Sequence, residues 1–262
     1  MSGRAARANG AAVVVGGASG IGRACADALL RDGWPVVVAD LRPPPEETGA
    51  IALDVRDREA VAAAAERVVA DHGAIGVVVY AAGTARVTPI LEISEREWEL
   101  VVGVNLTGAF NVMQATAPHI PPGGSVTVIT SIDSAAPVAG LSHYSAAKAG
   151  AEALVRSAAL ELGSQGVRCN AVLPGVVRTP LMAPMLDRPG VADAFVAQTP
   201  LGRIAEGADV ADVVAFLASP GARWITGVSL PVDGGMSLRE HPELLAAPDE
   251  ALLVNARPKG TT

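Results

Sequence analysis

Five apolar residues, Ala11-Ala12-Val13-Val14-Val15, run directly into Gly16-Gly17-Ala18-Ser19-Gly20-Ile21-Gly22, and residues 23–32 then follow helical periodicity. This order of strand, glycine-rich turn and helix constrains the chain more than any other feature. Where backbone must pass close to backbone, or turn at positive φ, glycine is the residue that avoids a clash. The same turn leaves N–H groups and a helix N-terminus facing outwards, which suits a pyrophosphate. An ordinary glycine-rich turn is the alternative. The position between strand and helix near the N-terminus favours the nucleotide.

Gly33-Trp34-Pro35 ends the helix, and residues 36–39 form a second strand with Asp40 at its carboxyl end. Asp40 stands 18 residues beyond Gly22, near the roughly 20 expected for an acid that hydrogen-bonds the adenosine ribose. A carboxylate there accepts from a free 2′-OH and repels a 2′-phosphate, so Asp40 argues for NAD over NADP. Arg42 nearby works against that choice, and a simple strand-ending turn residue is the alternative reading of Asp40.

The alternation then repeats. Residues 51–53 read as a short strand ending at Asp54-Val55, and residues 57–72 as an Ala-rich helix capped by Asp57. Residues 75–80 form a strand followed by Ala81-Ala82-Gly83. Ser94 with Glu97 resembles a capping box opening a helix that runs past Asn105 to Ala117. Residues 125–129, 167–172 and 229–232 are further strands, and residues 144–162 and 208–218 further helices, while residues 181–196 are loosely helical. Strands alternating with helices imply an α/β fold, a doubly wound parallel sheet with helices on both faces. Ligands of such sheets sit at the carboxyl ends of the strands. Every candidate residue would gather at that edge.

Composition narrows the classes. The chain has 262 residues, half of them hydrophobic and only 3% aromatic, which suits one domain with close helix-to-sheet contacts. A net charge of −7 argues against a nucleic-acid partner. No apolar run reaches the roughly 18 residues of a membrane span. Arg4 and Arg7 precede no long apolar core, so no signal peptide is read and a cytoplasmic location is expected. Cys25 and Cys169 lack ligand or redox spacing and read as buried thiols. Four scattered histidines suggest no metal site.

Ser131, Tyr144 and Lys148 carry the chemistry. Tyr144 and Lys148 are four residues apart at the start of a helical run, so they share a face. A free tyrosine has a pKa of about 10, and a nearby cation lowers it. The pair is then a proton donor and acceptor. Ser131, thirteen residues before Tyr144, ends a strand and could hydrogen-bond the same substrate oxygen. On its own, Tyr-x-x-x-Lys more often describes a half-buried Tyr beside a solvated Lys. Asn105 on its own is a polar residue satisfying local backbone.

Together these segments resemble the short-chain dehydrogenase/reductase family over about residues 10–235, within a single Rossmann-type domain of 1–262 whose residues 236–262 form a C-terminal extension. Asn105, Ser131, Tyr144 and Lys148 match that family's catalytic tetrad. Gly16, Ser19, Gly20, Ile21 and Gly22 resemble its cofactor loop, Asp40-Leu41 its NAD-selecting acid, and Asp54-Val55 its adenine-contacting pair. Ala82-Gly83 resembles the end of its central-strand motif. Pro174-Gly175, Val177 and Thr179 resemble the loop over the nicotinamide, and Val232-Asp233-Gly234-Gly235 the C-terminal signature. Two departures stand out: Val15 replaces the usual Thr, and Tyr80-Ala81-Ala82-Gly83 replaces Asn-Asn-Ala-Gly. Both remove polar groups that tie the central strands.

The resemblance implies hydride transfer between NAD(H) and a secondary alcohol or ketone. Tyr144 would be the acid/base, Ser131 would hold the substrate oxygen, Lys148 would bind the nicotinamide ribose, and Asn105 would hold a water in a proton relay. It also implies a homotetramer, with the Asn105 and Tyr144 helices packing across two-fold axes. Met182 and Met185 in residues 181–196 favour an apolar or cyclic substrate, because methionine adapts to irregular apolar ligands; packing of a lid against the core is the equal alternative. Asp133 or His143 is a candidate for touching a polar substrate group, against the commoner reading of a solvated loop position for each. A 3-oxoacyl carrier-protein reductase using NADPH is the enzymatic alternative. A non-catalytic NAD-binding sensor is the alternative outside enzymes.

Overall fold

In the computed structural model, residues 9–45 and 49–238 are described. They contain one seven-stranded sheet in the order β3-β2-β1-β4-β5-β6-β7, with every neighbouring pair parallel. The strands are β1 (Ala11–Val15), β2 (Val36–Asp40), β3 (Ile51–Ala52), β4 (Ile75–Tyr80), β5 (Ser125–Ile129), β6 (Arg168–Pro174) and β7 (Ser229–Val232). The order reverses between β1 and β4, which places a crevice at their carboxyl ends.

Strand alternation divides the core into two layers. Val13 and Val15 face one side of the sheet, where α2 (Arg58–His72), α4 (Gly108–Thr116) and α5 (Ser142–Leu162) pack. Ala12 and Val14 face the other, beneath α1 (Gly20–Arg31) and α8 (Gly207–Ala218). Burial on both faces is why the central strands read as unbroken apolar runs. Cys25 and Cys169 are buried free thiols within these layers.

Asp57 caps α2 as the sequence suggests, accepting from the N–H groups of Glu59 and Ala60. The helix expected through Asn105 is corrected. It consists of α3 (Glu95–Val102), a π-helical turn (Gly103–Thr107) and α4. One surplus residue in the turn is a feature that periodicity alone does not announce. The capping box is only half made. Ser94 Oγ accepts from the Glu97 N–H at 3.2 Å, whereas the Glu97 carboxylate turns to Thr88 and His143. The run Glu95–His119 is long and apolar enough by composition to cross a membrane, which corrects the expectation that no run reaches that length. Here it packs against α2 and α5 as a layer of the domain. Residues 181–196 resolve into two short helices, α6 (Ala183–Leu186) and α7 (Val191–Gln198), with Gly190 at φ +77° between them. Residues 239–262, which hold most of the expected extension, lie outside the described residues.

Tyr80 compensates in part for its departure from the family motif. Its ring is fully buried, and its hydroxyl donates to the Val104 carbonyl in the π-helical turn. The room for that ring comes from Gly108, where a Cβ would meet the Tyr80 oxygen at 2.5 Å.

Candidate active site

A cavity of about 1000 Å³ opens at the carboxyl edge of the sheet. One end is walled by the turn between β1 and α1. Gly16 has φ +80°, and a Cβ there would meet the Ala82 nitrogen at 2.5 Å. A Cβ on Gly22 would meet the Gly16 carbonyl at 2.0 Å. These glycines are therefore required by close backbone approach. The N-terminus of α1 carries no acidic residue in its first turn, and its N-cap, Ser19, makes no side-chain capping bond. Its unpaired N–H groups and positive dipole end fit an anionic pyrophosphate. Gly16, Ser19, Gly20, Ile21 and Gly22 all line the cavity.

Asp40 lines it too, beside Leu41. Its Oδ2 accepts from the Ala18 N–H at 3.0 Å and its Oδ1 from the Arg42 N–H at 3.1 Å. The carboxylate thus ties the glycine turn to β2, and each oxygen keeps acceptor capacity. The exposed Arg42 is not in the cavity wall. Arg56 is, and sequence reasoning missed it. It forms a two-point ion pair with Asp54, Nε to Oδ1 at 3.0 Å and Nη2 to Oδ2 at 2.6 Å. That pair lowers the Asp54 pKa and raises that of Arg56, in each case first through the hydrogen bond between them. Val55, Ala82, Gly83, Pro174, Gly175, Val177 and Thr179 complete this part of the wall, as the sequence anticipates.

Ser131, Tyr144 and Lys148 line the same cavity and lie together in it. Ser131 caps a short turn after β5, its Oγ accepting from the Asp133 N–H at 3.1 Å. Tyr144 and Lys148 stand on the first turns of α5. Lys148 Nζ lies 5.5 Å from the Tyr144 ring centre and donates to the Ile129 carbonyl at 2.9 Å. Burial pushes the Lys148 pKa down to about 8. Burial first, and then the Asp133 charge, push the Tyr144 hydroxyl upwards, while its hydrogen bond with Ser131 pulls the other way. The expected lowering of the phenol pKa by Lys148 does not appear in the protein alone: burial and a neighbouring carboxylate raise it, and Ser131 is what acts the other way.

Asn105 does not line the cavity, but it is buried just behind it. Its Nδ2 donates to the Thr84 carbonyl at 2.7 Å and the Val101 carbonyl at 2.9 Å. Its Oδ1 is buried with no partner among the described residues. A Cβ on Gly83 would come 3.1 Å from that oxygen and 3.6 Å from Lys148 Nζ, so Gly83 keeps the space between the two groups clear.

Met182, Met185, Asp133 and Phe195 line the other end of the cavity. His143 does not, which corrects the expectation of a direct substrate contact. One position before Tyr144 on a helix, it points about 100° away. It is completely buried, with Nε2 3.2 Å from Glu97 Oε1. Thr84, Arg86, Thr88 and Glu97 line this end and were not anticipated. Glu97 reads in the sequence as a capping residue, and that signal hides its second role.

The model of the enoyl-(acyl carrier protein) reductase family matches residues 16–237. The rat (3R)-3-hydroxyacyl-CoA dehydrogenase is 38% identical over 248 residues, covering 86% of this chain and 95% of that protein. The cis-4-hydroxycyclohexanecarboxylate dehydrogenase of Sinomonas cyclohexanicum is 37% identical over 238 residues, covering 86% and 95%. A crystal structure from Brucella melitensis, titled as a short-chain dehydrogenase/reductase of the glucose/ribitol dehydrogenase type, superposes with a TM-score of 0.82 at 28% identity, covering 88% of this chain and 97% of that one.

Proposed function

The chain belongs to the short-chain dehydrogenase/reductase family and is an oxidoreductase acting on a hydroxyl or keto group, and from that premise we propose that it is an NAD-dependent dehydrogenase of secondary alcohols. The observation that carries this is the meeting of Ser131, Tyr144 and Lys148 in the same cavity as the glycine turn and Asp40. Bound nicotinamide supplies the hydride acceptor and, when oxidised, a positive charge beside the reacting carbon. Gly16 to Gly22 would hold the pyrophosphate, Asp40 the adenosine ribose, and Pro174, Gly175 and Thr179 the nicotinamide end.

Ser131 Oγ holds the substrate oxygen. Tyr144 takes the alcohol proton in oxidation and returns it to the ketone in reduction. Lys148 would hold the second ribose and supply positive charge beside the phenol. Asn105 Oδ1, a buried acceptor without a partner among the described residues, would receive a water in the relay from Lys148. Met182, Met185, Leu141 and Phe195 supply an apolar wall suited to a ring or short chain. The relative that acts on a hydroxycyclohexanecarboxylate supports a cyclic substrate.

The choice of NAD rests on Asp40 reaching the cavity while Arg42 stays outside it. Arg56, the cation that does reach this end, is held by Asp54. A carrier-protein reductase using NADPH would need a free cation there. Assembly as a homotetramer and a cytoplasmic location belong to the same proposal. The half-exposed Phe110 and the small, exposed Ala146 and Ala149 on outer helix faces support self-association, which light scattering reads directly.

The test is a titration of NADH and NADPH by tryptophan fluorescence transfer, with turnover on secondary alcohols. NADH is expected to bind at least tenfold tighter, about 1.4 kcal/mol. Asp40→Ser is expected to narrow the gap. Tyr144→Phe is expected to lose turnover by roughly 10²–10⁴-fold. Tighter NADPH would transfer the proposal to the reductase. Equal inactivity of wild type and Tyr144→Phe would favour a sensor.

A further inference from the structure

Thr88, Glu97 and His143 form a polar group at the substrate end of the cavity. Glu97 Oε1 accepts a 2.6 Å hydrogen bond from Thr88 Oγ1 and sits 3.2 Å from His143 Nε2. Thr88 is tied a second time, its backbone N–H donating to the Gly140 carbonyl at 2.9 Å. His143 is completely buried, and its Nδ1 has no partner among the described residues, so Glu97 is what its ring addresses. One carboxylate oxygen is thus fixed from two sides, by a loop and by the helix that carries Tyr144.

The other oxygen is differently placed. Both of those contacts fall on Oε1, and Oε2 is not one of the fully buried atoms without a partner, on a side chain that is 17% exposed. Glu97 lines the cavity with Leu100 and Val104, at helical spacings of three and seven. The same cavity is lined by Val138 and Phe195 and also by Thr84, Arg86, Asp133 and Arg188. An acceptor that reaches the cavity from such a wall is satisfied by water until a substrate donor takes its place.

We propose that Glu97 determines specificity: its Oε2 accepts a hydrogen bond from a second donor on the substrate, so the preferred substrate is an alcohol carrying another hydroxyl away from the reacting carbon. The inference rests on the dehydrogenase reading above and names the substrate class for that site. Thr88 and His143 are positioning residues, which act by holding the carboxylate. A site built to hydrogen-bond a substrate hydroxyl discriminates strongly against an analogue that lacks it. Arg86 and Arg188 line the same cavity, so a hydroxy acid is the substrate that would answer to them instead.

The test compares kcat/KM of the full-length protein with NAD on cyclohexanol, the 1,2-, 1,3- and 1,4-cyclohexanediols, and 4-hydroxycyclohexanecarboxylate. The wild type is expected to favour at least one diol over cyclohexanol by tenfold or more. Glu97→Ala should erase that ratio, Glu97→Gln should keep part of it, and His143→Phe, which alters no cavity-lining side chain, should reduce it. A loss of stability alone would lower all rates together and leave the ratio in place. The NADH dissociation constant of each variant reports whether the cofactor end is intact. A ratio unchanged in Glu97→Ala overturns the inference, as does a wild type that prefers the hydroxy acid or cyclohexanol. A wild type inactive on every alcohol overturns the dehydrogenase reading itself and this inference with it.

Discussion

Asp133 shows how far one neighbouring charge can move the chemistry. It lies two residues past Ser131, shares the cavity with Tyr144, and raises the phenol pKa, second only to burial. Oxidation needs the phenolate, so its rate should climb with pH along a limb set by Tyr144 in the cofactor complex. Removing a negative charge favours the phenolate and lowers that pKa. Asp133→Asn should therefore move the limb to lower pH, as read from kcat/KM for alcohol oxidation. A limb that stays in place would separate Asp133 from the proton transfer. At this scale the sequence was informative where spacing alone sets geometry. Tyr144 and Lys148 share a helix face because they are four residues apart. It was uninformative where direction depends on packing. His143 is adjacent to Tyr144 in the chain yet faces the interior, and Glu97 carries a capping signature whose carboxylate leaves the cap.

The π-helical turn between α3 and α4 is the element the pattern of apolar residues did not disclose. Hydrophobic periodicity continues through it, because one surplus residue displaces the pattern without interrupting it. The turn matters for what it carries. The Tyr80 hydroxyl donates to Val104, and Asn105 sits within it. Tyr80→Phe would leave that carbonyl buried without its donor, at a cost of about 1–3 kcal/mol. Urea denaturation should show the loss. An unchanged unfolding midpoint would mean that the carbonyl finds another donor. The strands, by contrast, were legible almost residue for residue, since a parallel strand covered on both faces must be apolar throughout.

The folded chain as a whole bears the cost of its buried lysine. Lys148 is 4% exposed, and its pKa falls from 10.5 to about 8. The unfolded chain therefore holds a proton that the folded one releases between those values, and stability gains with pH across that window. Below about pH 8 the full penalty is present, on the order of 3 kcal/mol. Lys148→Met should remove this pH dependence, so the stability difference between variant and wild type should shift against the variant from pH 7 to pH 10, while turnover is lost. A constant difference would show that the ammonium finds solvent. The overall architecture was readable in advance because a parallel, doubly wound sheet sends every strand's carboxyl end to one edge. What could not be read is how segments far apart in sequence meet across that edge, such as Thr88 with Glu97 and His143, since no periodicity encodes a contact between loops.

The surplus residue in the middle helix has a further consequence, which concerns rotational phase. Each residue of an α-helix turns the chain by roughly 100°. Within the turn Gly103–Thr107 the extra residue is taken up locally, so the faces of Glu95–Val102 and Gly108–Thr116 hold the phase they would have in a continuous helix one residue shorter. A lineage that lost one residue there would keep Ala109, Val112 and Met113 turned to the sheet and would regularise the turn that carries the Val104 carbonyl and Asn105. The core is therefore indifferent to the surplus residue, and the length of the segment is answerable to the site it serves.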